Sequence, residues 1–323
     1  MKKVTVLGGG TGTFVVLSGL KKYALDLGVI VSMMDSGGST GRLRDQLGVL
    51  PPGDLRQALV ALSEAPLLWR ELFLYRFESG DLEGHNFGNI FISALEKVSK
   101  DYDEVLKIAS FVLKTKGSVI PVTYKRTHMV AVYADGKVIK GEGNIDTNHE
   151  ERERIVKAYL EPKVEINSKA AWRLTETDCI VIGPGDLYTS IIPVLLVPKI
   201  KETIERSSAK VIYNMNLMTK NGQTSRYKAS DHLSDLTKYL GRQPEVVIIN
   251  TGQIPEGILE HYLKTDEVPV ENDLRQINYR GKIIFGDLVD RKQVKTSAAD
   301  KLSRSILRHD PEKLARSLYK LLI

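Results

Sequence analysis

A glycine-rich loop near the amino terminus has the residue types and spacing that bind a phosphate group. The loop Gly8–Thr13 follows the apolar run Val4–Leu7, which predicts a buried strand, and precedes a helical pattern. Glycines let the backbone turn sharply and approach a ligand closely. The free amides at the start of the helix, with the positive end of its dipole, then face an anion. The candidate ligand-binding residues in this loop are Gly9, Gly10, Thr11, Gly12 and Thr13.

A second glycine turn repeats this design in the middle of the chain. Gly183–Ser190 follows the apolar run Cys179–Ile182 and opens another helical pattern. Parallel strands end at one edge of a sheet, where open α/β folds bind ligands, so the two turns should lie near each other. Asparagines end the next predicted strand, Lys210–Asn214, at the same edge. The candidates here are Gly183, Gly185, Asp186, Tyr188, Thr189, Asn214 and Asn216.

A polar loop follows the second predicted strand, Val29–Met34. Asp35 ends that strand, where a Rossmann enzyme places the acid that bonds ribose hydroxyls. The loop after it is rich in amides and hydroxyls and ends with two guanidinium groups. This composition suits a phosphate or a multiply hydroxylated ligand better than an adenosine ribose alone, and a simple surface loop stays the alternative. The candidates are Asp35, Ser36, Gly37, Gly38, Ser39, Thr40 and Arg44.

Two further polar clusters open helical patterns. Asp54 is placed to cap a helix, and Gly84–Asn89 precedes an apolar helical run. A capping role and a binding role both remain open for these residues. His85 has no second histidine or cysteine at metal-ligand spacing, so we expect no metal site. The candidates are Asp54, His85, Asn86 and Asn89.

The elements that position these residues predict an α/β fold, with a Rossmann-like, mostly parallel sheet and helices on both faces. The alternating pattern around Asp135-Gly136 predicts a hairpin, and hence a small antiparallel β insertion around residues 117–148. A charged stretch, Glu150–Tyr159, predicts a helix after it, and Pro311–Leu322 predicts a last helix capped by Asp310. With no repeat or linker, we expect one domain over residues 1–323.

Composition narrows the function classes. The 46 Lys+Arg against 40 Asp+Glu leave a net charge of +6, without a basic run interleaved with aromatics. This suits an anionic small ligand and does not favour nucleic acid. The apolar run Ile191–Val197 is too short to span a bilayer, so we expect no membrane insertion and a cytoplasmic protein. The single cysteine, Cys179, excludes an internal disulfide.

Taken together, these motifs resemble the gluconeogenesis factor family, in the superfamily of the CofD-like 2-phospho-L-lactate transferases. The resemblance runs from the first strand to Arg308–Leu314. It implies a regulatory protein that binds UDP-sugars such as UDP-N-acetylglucosamine or UDP-glucose and has no established reaction. It also implies a role in cell shape and in growth on gluconeogenic carbon sources, through an unidentified protein partner in cell-envelope or carbon-metabolism control.

The resemblance leads to a specific arrangement. The diphosphate is expected on the first glycine loop, with Tyr262 covering a ring and Arg308 pairing with phosphate. No cofactor is required, and Gly12→Val is expected to abolish binding while the fold stays intact. The alternatives are a Mg²⁺-dependent phospholactate-type transferase and a nicotinamide-dependent oxidoreductase. The resemblance leaves open whether the protein forms a homodimer.

Overall fold

The computed structural model describes residues 1–147, 152–291 and 305–323. The strands are β1 (Lys3–Gly8), β2 (Asp26–Val31), β3 (Ser118–Pro121), β4 (His128–Tyr133), β5 (Val138–Lys140), β6 (Ile155–Glu161), β7 (Cys179–Ile182), β8 (Lys210–Asn214), β9 (Val246–Asn250) and β10 (Lys282–Gly286). The helices are α1 (Gly10–Leu20), α2 (Gly38–Leu47), α3 (Gly53–Leu62), α4 (Leu67–Leu74), α5 (Phe87–Val98), α6 (Tyr102–Leu113), α7 (Glu142–Thr147), α8 (Ser168–Thr175), α9 (Ile192–Leu195), α10 (Ile200–Arg206), α11 (Ala229–Leu240), α12 (Glu256–Leu263) and α13 (Pro311–Leu322). A π-helical turn, Leu187–Ile191, precedes α9.

Seven strands form one parallel sheet in the order β10-β9-β8-β7-β1-β2-β3. From β1 the chain builds outward through β2 and β3, and it later returns to the other side of β1 and builds outward through β7 to β10. The direction therefore reverses between β1 and β7, which pair directly from Val4 opposite Cys179 to Leu7 opposite Ile182. Open α/β sheets bind ligands in the crevice at such a reversal.

Helices cover both faces of this sheet. In β1, every residue from Val4 to Gly8 is buried, although successive side chains point to opposite faces. Continuous burial of this kind is typical of parallel sheets with helices on each side. Helices α3 and α13 both pack on α1, whereas α8, α9 and α11 pack on α10. The predicted α/β class is confirmed.

A second, three-stranded antiparallel sheet has the order β5-β4-β6. The predicted hairpin at Asp135-Gly136 is confirmed, because β4 and β5 pair on either side of it. The helix predicted over Glu150–Tyr159 is wrong in its described part, where β6 pairs with β4. The small sheet spans His128–Glu161, whereas β3, inside the expected insertion of residues 117–148, belongs to the main sheet.

The structure also bears on three further expectations, which concern the end of β2, the cap of α13 and the length of apolar helices. Strand β2 ends at Val31, so Asp35 lies in the following loop instead of ending the strand. Asp310 caps α13 as predicted, accepting from the amides of Glu312 and Lys313. Within the described ranges, the chain has no helix of the length and apolar character that a membrane span needs.

Candidate ligand-binding site

The reversal between β1 and β7 brings the two glycine turns into contact. A Cβ added at Gly12 would overlap the backbone carbonyl of Pro184, and one at Gly185 would lie 3.8 Å from the Gly9 carbonyl oxygen. Because neither turn carries a side chain at these points, the two backbones can pack this closely. A pocket opens beside them, at the carboxyl edge of the sheet.

More than half of the candidate residues line this pocket. They are Gly10, Thr11, Gly12, Asp35, Gly37, Ser39, Thr40, Asp54, Asn89, Gly185, Asp186, Thr189, Asn216, Tyr262 and Arg308. They come from the turns after β1, β2, β7 and β8, from α3, α5 and α12, and from the segment before α13, which only the fold brings together.

The first glycine loop already holds an anion from the protein itself. The amide of Gly10 donates to Asp54 Oδ1 at 2.8 Å. Asp54 therefore does not cap its own helix, α3, whose capping position is Pro52. A ligand phosphate would instead meet Thr11 and Gly12, whose amides lie in the first turn of α1 and so have no partner within the helix.

Two candidates near α5 stabilise the local structure. Asn86 caps α5, and its side-chain amide donates to the carbonyls of Leu74 and Tyr75, each at 2.9 Å. The imidazole of His85 lies 3.3 Å from Ser39 Oγ. Burial lowers the pKa of His85, so the ring is neutral near pH 7. Both residues act behind the pocket wall.

Other candidates are also held away from the pocket by contacts with the protein. The hydroxyl of Tyr188 bonds the Asp235 carboxylate at 2.8 Å. The side-chain amide of Asn214 donates to the carbonyl of Gly183 at 2.8 Å. These contacts explain two polar residues in an apolar setting. The candidates that do not line the pocket are Gly9, Thr13, Ser36, Gly38, Arg44, His85, Asn86, Gly183, Tyr188 and Asn214.

One wall of the pocket is acidic, which the sequence did not predict. Glu142, at the start of α7, accepts from the amide of Ser36 at 3.3 Å. Burial raises the pKa of Glu142 well above its usual value, and the nearby carboxylates of Asp35, Asp146 and Asp54 raise it further. The raised pKa favours the protonated form of Glu142, which is the form that can donate to a ligand oxygen.

A buried lysine forms a second charged group in the pocket. Lys220 Nζ lies 3.4 Å from Asp146 and 3.8 Å from Glu267. Burial alone would lower the pKa of Lys220, but Asp186, Asp146 and Glu267 raise it above its ordinary value. Burial raises the pKa of Asp186 to about 6. Lys220 is therefore a charged group that is paired with carboxylates of the pocket.

Three arginines, Arg56, Arg76 and Arg308, line the same pocket. Arg56 is buried, and its Nη1 donates to the carbonyl of Phe73 at 3.2 Å, which fixes the direction of the guanidinium. Arg76 is held in the same way by the carbonyl of Gly84, at 2.6 Å. Guanidinium groups positioned around a cleft are suited to the paired oxygens of a diphosphate.

The opposite end of the pocket is apolar. Leu217, Met218, Tyr262 and Leu307 belong to one small cluster and also line the pocket. The hydroxyl of Tyr262 lies 2.8 Å from Ser305 Oγ, and it accepts from the amide of Leu307 at 3.1 Å. The ring is therefore fixed in place, as a surface that covers a planar ligand group requires.

Several titratable pocket residues were not among the candidates of the sequence analysis. Glu142, Asp146, Lys220 and His309 lie outside the two glycine turns that it identified. For Lys220 a signal was present, because it follows the polar end of β8. For Glu142 and Asp146 there was none, since the insertion that carries them reaches the pocket only through the tertiary fold.

A metal site is not preformed in this pocket. Across residues 1–147, 152–291 and 305–323, no three histidine, cysteine, aspartate or glutamate side chains are arranged to hold a metal ion. The carboxylates of Asp35, Asp54 and Asp146 nevertheless lie near enough to Glu142 to raise its pKa. Any cation here would need ligand oxygens to complete its coordination.

Comparisons with known proteins agree with this architecture. The family model described as 2-phospho-L-lactate transferase CofD matches residues 4–288. A putative gluconeogenesis factor of Aquifex aeolicus is 40% identical, covering 100% of this chain and 98% of the relative. The gluconeogenesis factor of Bacillus subtilis is 37% identical, with 99% and 98% covered. A crystal structure of a UPF0052 family protein from Bacillus halodurans has a TM-score of 0.89 at 34% identity, covering 98% of this chain and 99% of that one. The chain therefore belongs to the CofD family and, within it, to the gluconeogenesis factors.

Proposed function

We propose that this protein binds a UDP-sugar, such as UDP-N-acetylglucosamine or UDP-glucose, at the carboxyl edge of its parallel sheet and acts as a regulatory protein. One observation carries the proposal: arginines, carboxylates and an aromatic ring line the same pocket, and these groups suit an anion, hydroxyls and a planar ring. A nucleotide sugar is a ligand that needs all three.

The surfaces have complementary chemistry. Arg56, Arg76 and Arg308, with the first-turn amides of Thr11 and Gly12, suit a diphosphate. The acidic wall offers oxygen atoms that accept from sugar hydroxyls. Tyr262 offers an aromatic ring to a base. A ligand that used only one of these surfaces would leave the others facing solvent.

The names of the relatives support a regulatory role. Several of them are named gluconeogenesis factors. We propose that the bound and free forms of this cytoplasmic protein differ in affinity for a protein partner that controls cell shape and growth on gluconeogenic carbon sources. Such a ligand acts only through its differential affinity for the two forms.

A Mg²⁺-dependent phosphotransferase is the second candidate, and the acidic wall favours it. Asp35, Asp54 and Asp146 lie around Glu142, and the CofD family model is described as a transferase. Phosphoryl transfer needs the developing charge to be stabilised, usually by Mg²⁺ bound to carboxylates. Release of UMP or UDP during incubation with Mg²⁺, and its loss in Asp35→Asn, would favour this function over regulation.

A thermal-shift panel tests the proposed ligand class. UDP-N-acetylglucosamine and UDP-glucose are expected to raise Tm by about 5 °C at a concentration 100 times Kd, because a ligand of the folded state alone stabilises it. GDP, NAD and 2-phospholactate serve as comparisons. A shift with NAD or GDP and none with UDP-sugars would contradict the proposal.

A further inference from the structure

Two buried polar atoms of uncharged side chains on the pocket wall have no hydrogen-bond partner among the described residues. They are Nε2 of His309 and Oδ1 of Asn89. Both side chains line the pocket, and they are 4% and 3% exposed. Buried polar groups in folded proteins are almost always paired, so two such atoms on one pocket wall point to a partner that the protein does not supply.

His309 presents an acceptor to the pocket. A hydrogen bond with the Met215 backbone raises the pKa of His309, so the ring donates to a carbonyl there. Burial has the larger effect and lowers the pKa to about 4, which leaves the ring neutral at physiological pH. A neutral imidazole has one N–H, and that N–H is already used. Nε2 therefore carries a lone pair and accepts a hydrogen bond.

Asn89 presents a second acceptor. Its side-chain nitrogen lies 3.3 Å from Ser39 Oγ and 3.4 Å from Thr40 Oγ1, and donates to both. With the nitrogen used in this way, the amide oxygen is an acceptor without a partner, in a side chain that lines the pocket. Like the lone pair of His309, it requires a ligand that brings a hydroxyl or an N–H group.

The two acceptors lie at different ends of the site. Asn89 contacts residues that follow β2, and His309 contacts Met215, which follows β8. In the order β8-β7-β1-β2, these strands are three positions apart, which corresponds to about 14 Å along the sheet edge. A ligand that pairs with both acceptors must be extended and carry donors at each end.

The surroundings of each acceptor differ in chemistry. Near His309 lie the apolar residues Leu307 and Tyr262, which suit a planar base. Near Asn89 lie the hydroxyls of Ser39 and Thr40, and Thr40 in turn lies beside Asp35. This polar end suits a hexose, whose hydroxyls need several acceptors. The first glycine loop follows β1, which lies between β8 and β2 in the sheet, so its amides lie between the two ends, as the diphosphate of a nucleotide sugar does.

We propose, on the basis of the function inferred above, that His309 Nε2 accepts from the nucleoside half of the ligand and Asn89 Oδ1 accepts from a hydroxyl of the sugar half. The two side chains then fix the direction in which the ligand lies. His309 selects for a base N–H or a ribose hydroxyl of the ligand, and Asn89 selects for its sugar.

Half-ligands separate the two roles. Calorimetry compares UDP-N-acetylglucosamine with UDP on the parent, His309→Phe and Asn89→Leu. His309→Phe is expected to weaken both ligands by about tenfold, because both contain the nucleoside. Asn89→Leu is expected to weaken UDP-N-acetylglucosamine by about tenfold and to leave UDP unchanged. His128→Phe, outside the pocket, is the matched control and should change neither.

Folding is checked by the melting of each unliganded variant. If a substitution unfolds the chain, His309→Gln and Asn89→Asp, which retain acceptor oxygens, are measured instead and should stay closer to the parent. An exchanged pattern, in which Asn89→Leu weakens UDP, would overturn the inference, as would two folded variants with parental affinity. If the parent itself does not bind UDP-N-acetylglucosamine, the proposed function is overturned as well. Failure of the inference alone leaves binding by the parent intact, so the two outcomes are distinguishable.

Discussion

Replacing Gly12 with valine is expected to destabilise the whole fold and not only to remove ligand binding. A Cβ at this position would overlap the backbone carbonyl of Pro184 in the second glycine turn. Neither turn can move aside, because β1 and β7, which carry them, are paired along their length. Overpacking against backbone should lower the free energy of unfolding by about 3 kcal/mol, measured by urea unfolding. The sequence alone had led to the opposite expectation, an intact fold.

A glycine in open space provides the control. Gly257, near the start of α12, has no atom within 4 Å of an added Cβ. Gly257→Ala should therefore keep or raise the free energy of unfolding, by up to about 1 kcal/mol, because alanine favours a helix. A Gly12→Val protein as stable as the parent would show that the two turns do not pack as described.

Replacing Arg308 with alanine is expected to cause a large loss of affinity for UDP-N-acetylglucosamine. Arg308 lines the pocket, just before the helix that Asp310 caps. Loss of a charge-assisted hydrogen bond to the diphosphate should weaken binding by about 1.5–3 kcal/mol, roughly 10- to 150-fold in Kd. Arg308→Lys should restore only part of the affinity, since lysine keeps the charge but not the planar fork.

Arg316 makes this test specific to position. It lies on α13, is exposed and does not line the pocket. Arg316→Ala removes the same charge, so it should leave Kd at the parental value at physiological salt. Equal losses in both variants would indicate a general charge effect, and parental affinity in Arg308→Ala would place the diphosphate against Arg56 or Arg76 instead.

The local sequence pattern was sufficient to predict the parallel sheet and part of the pocket. Apolar runs followed by glycine, as at Leu7 and Ile182, identified two strands and the turns after them. The shared edge of a parallel sheet then placed those turns together without knowledge of the strand order. Residues identified in this way depend only on their own neighbours in sequence.

The failures have a different origin. Strand β6 was taken for a helix because a bulge breaks its alternation: Val132 pairs with Lys157 and Tyr133 with Ile155, so Val156 is an extra residue. A capping role and a binding role were both open for Asp54, and the sequence did not indicate that its carboxylate accepts from the amide of Gly10, 44 positions away. Such contacts are decided by tertiary packing, which a single sequence does not encode in any local pattern.

The most direct test of the nucleotide-sugar site is calorimetric titration of the parent protein with UDP-N-acetylglucosamine in EDTA. The site supplies amides and guanidinium groups for the diphosphate. Its described residues form no preformed metal site. The expected result is saturable binding of one ligand per chain, with the same Kd when Mg²⁺ replaces EDTA. Absence of saturable binding, or binding that appears only with Mg²⁺, would contradict the account.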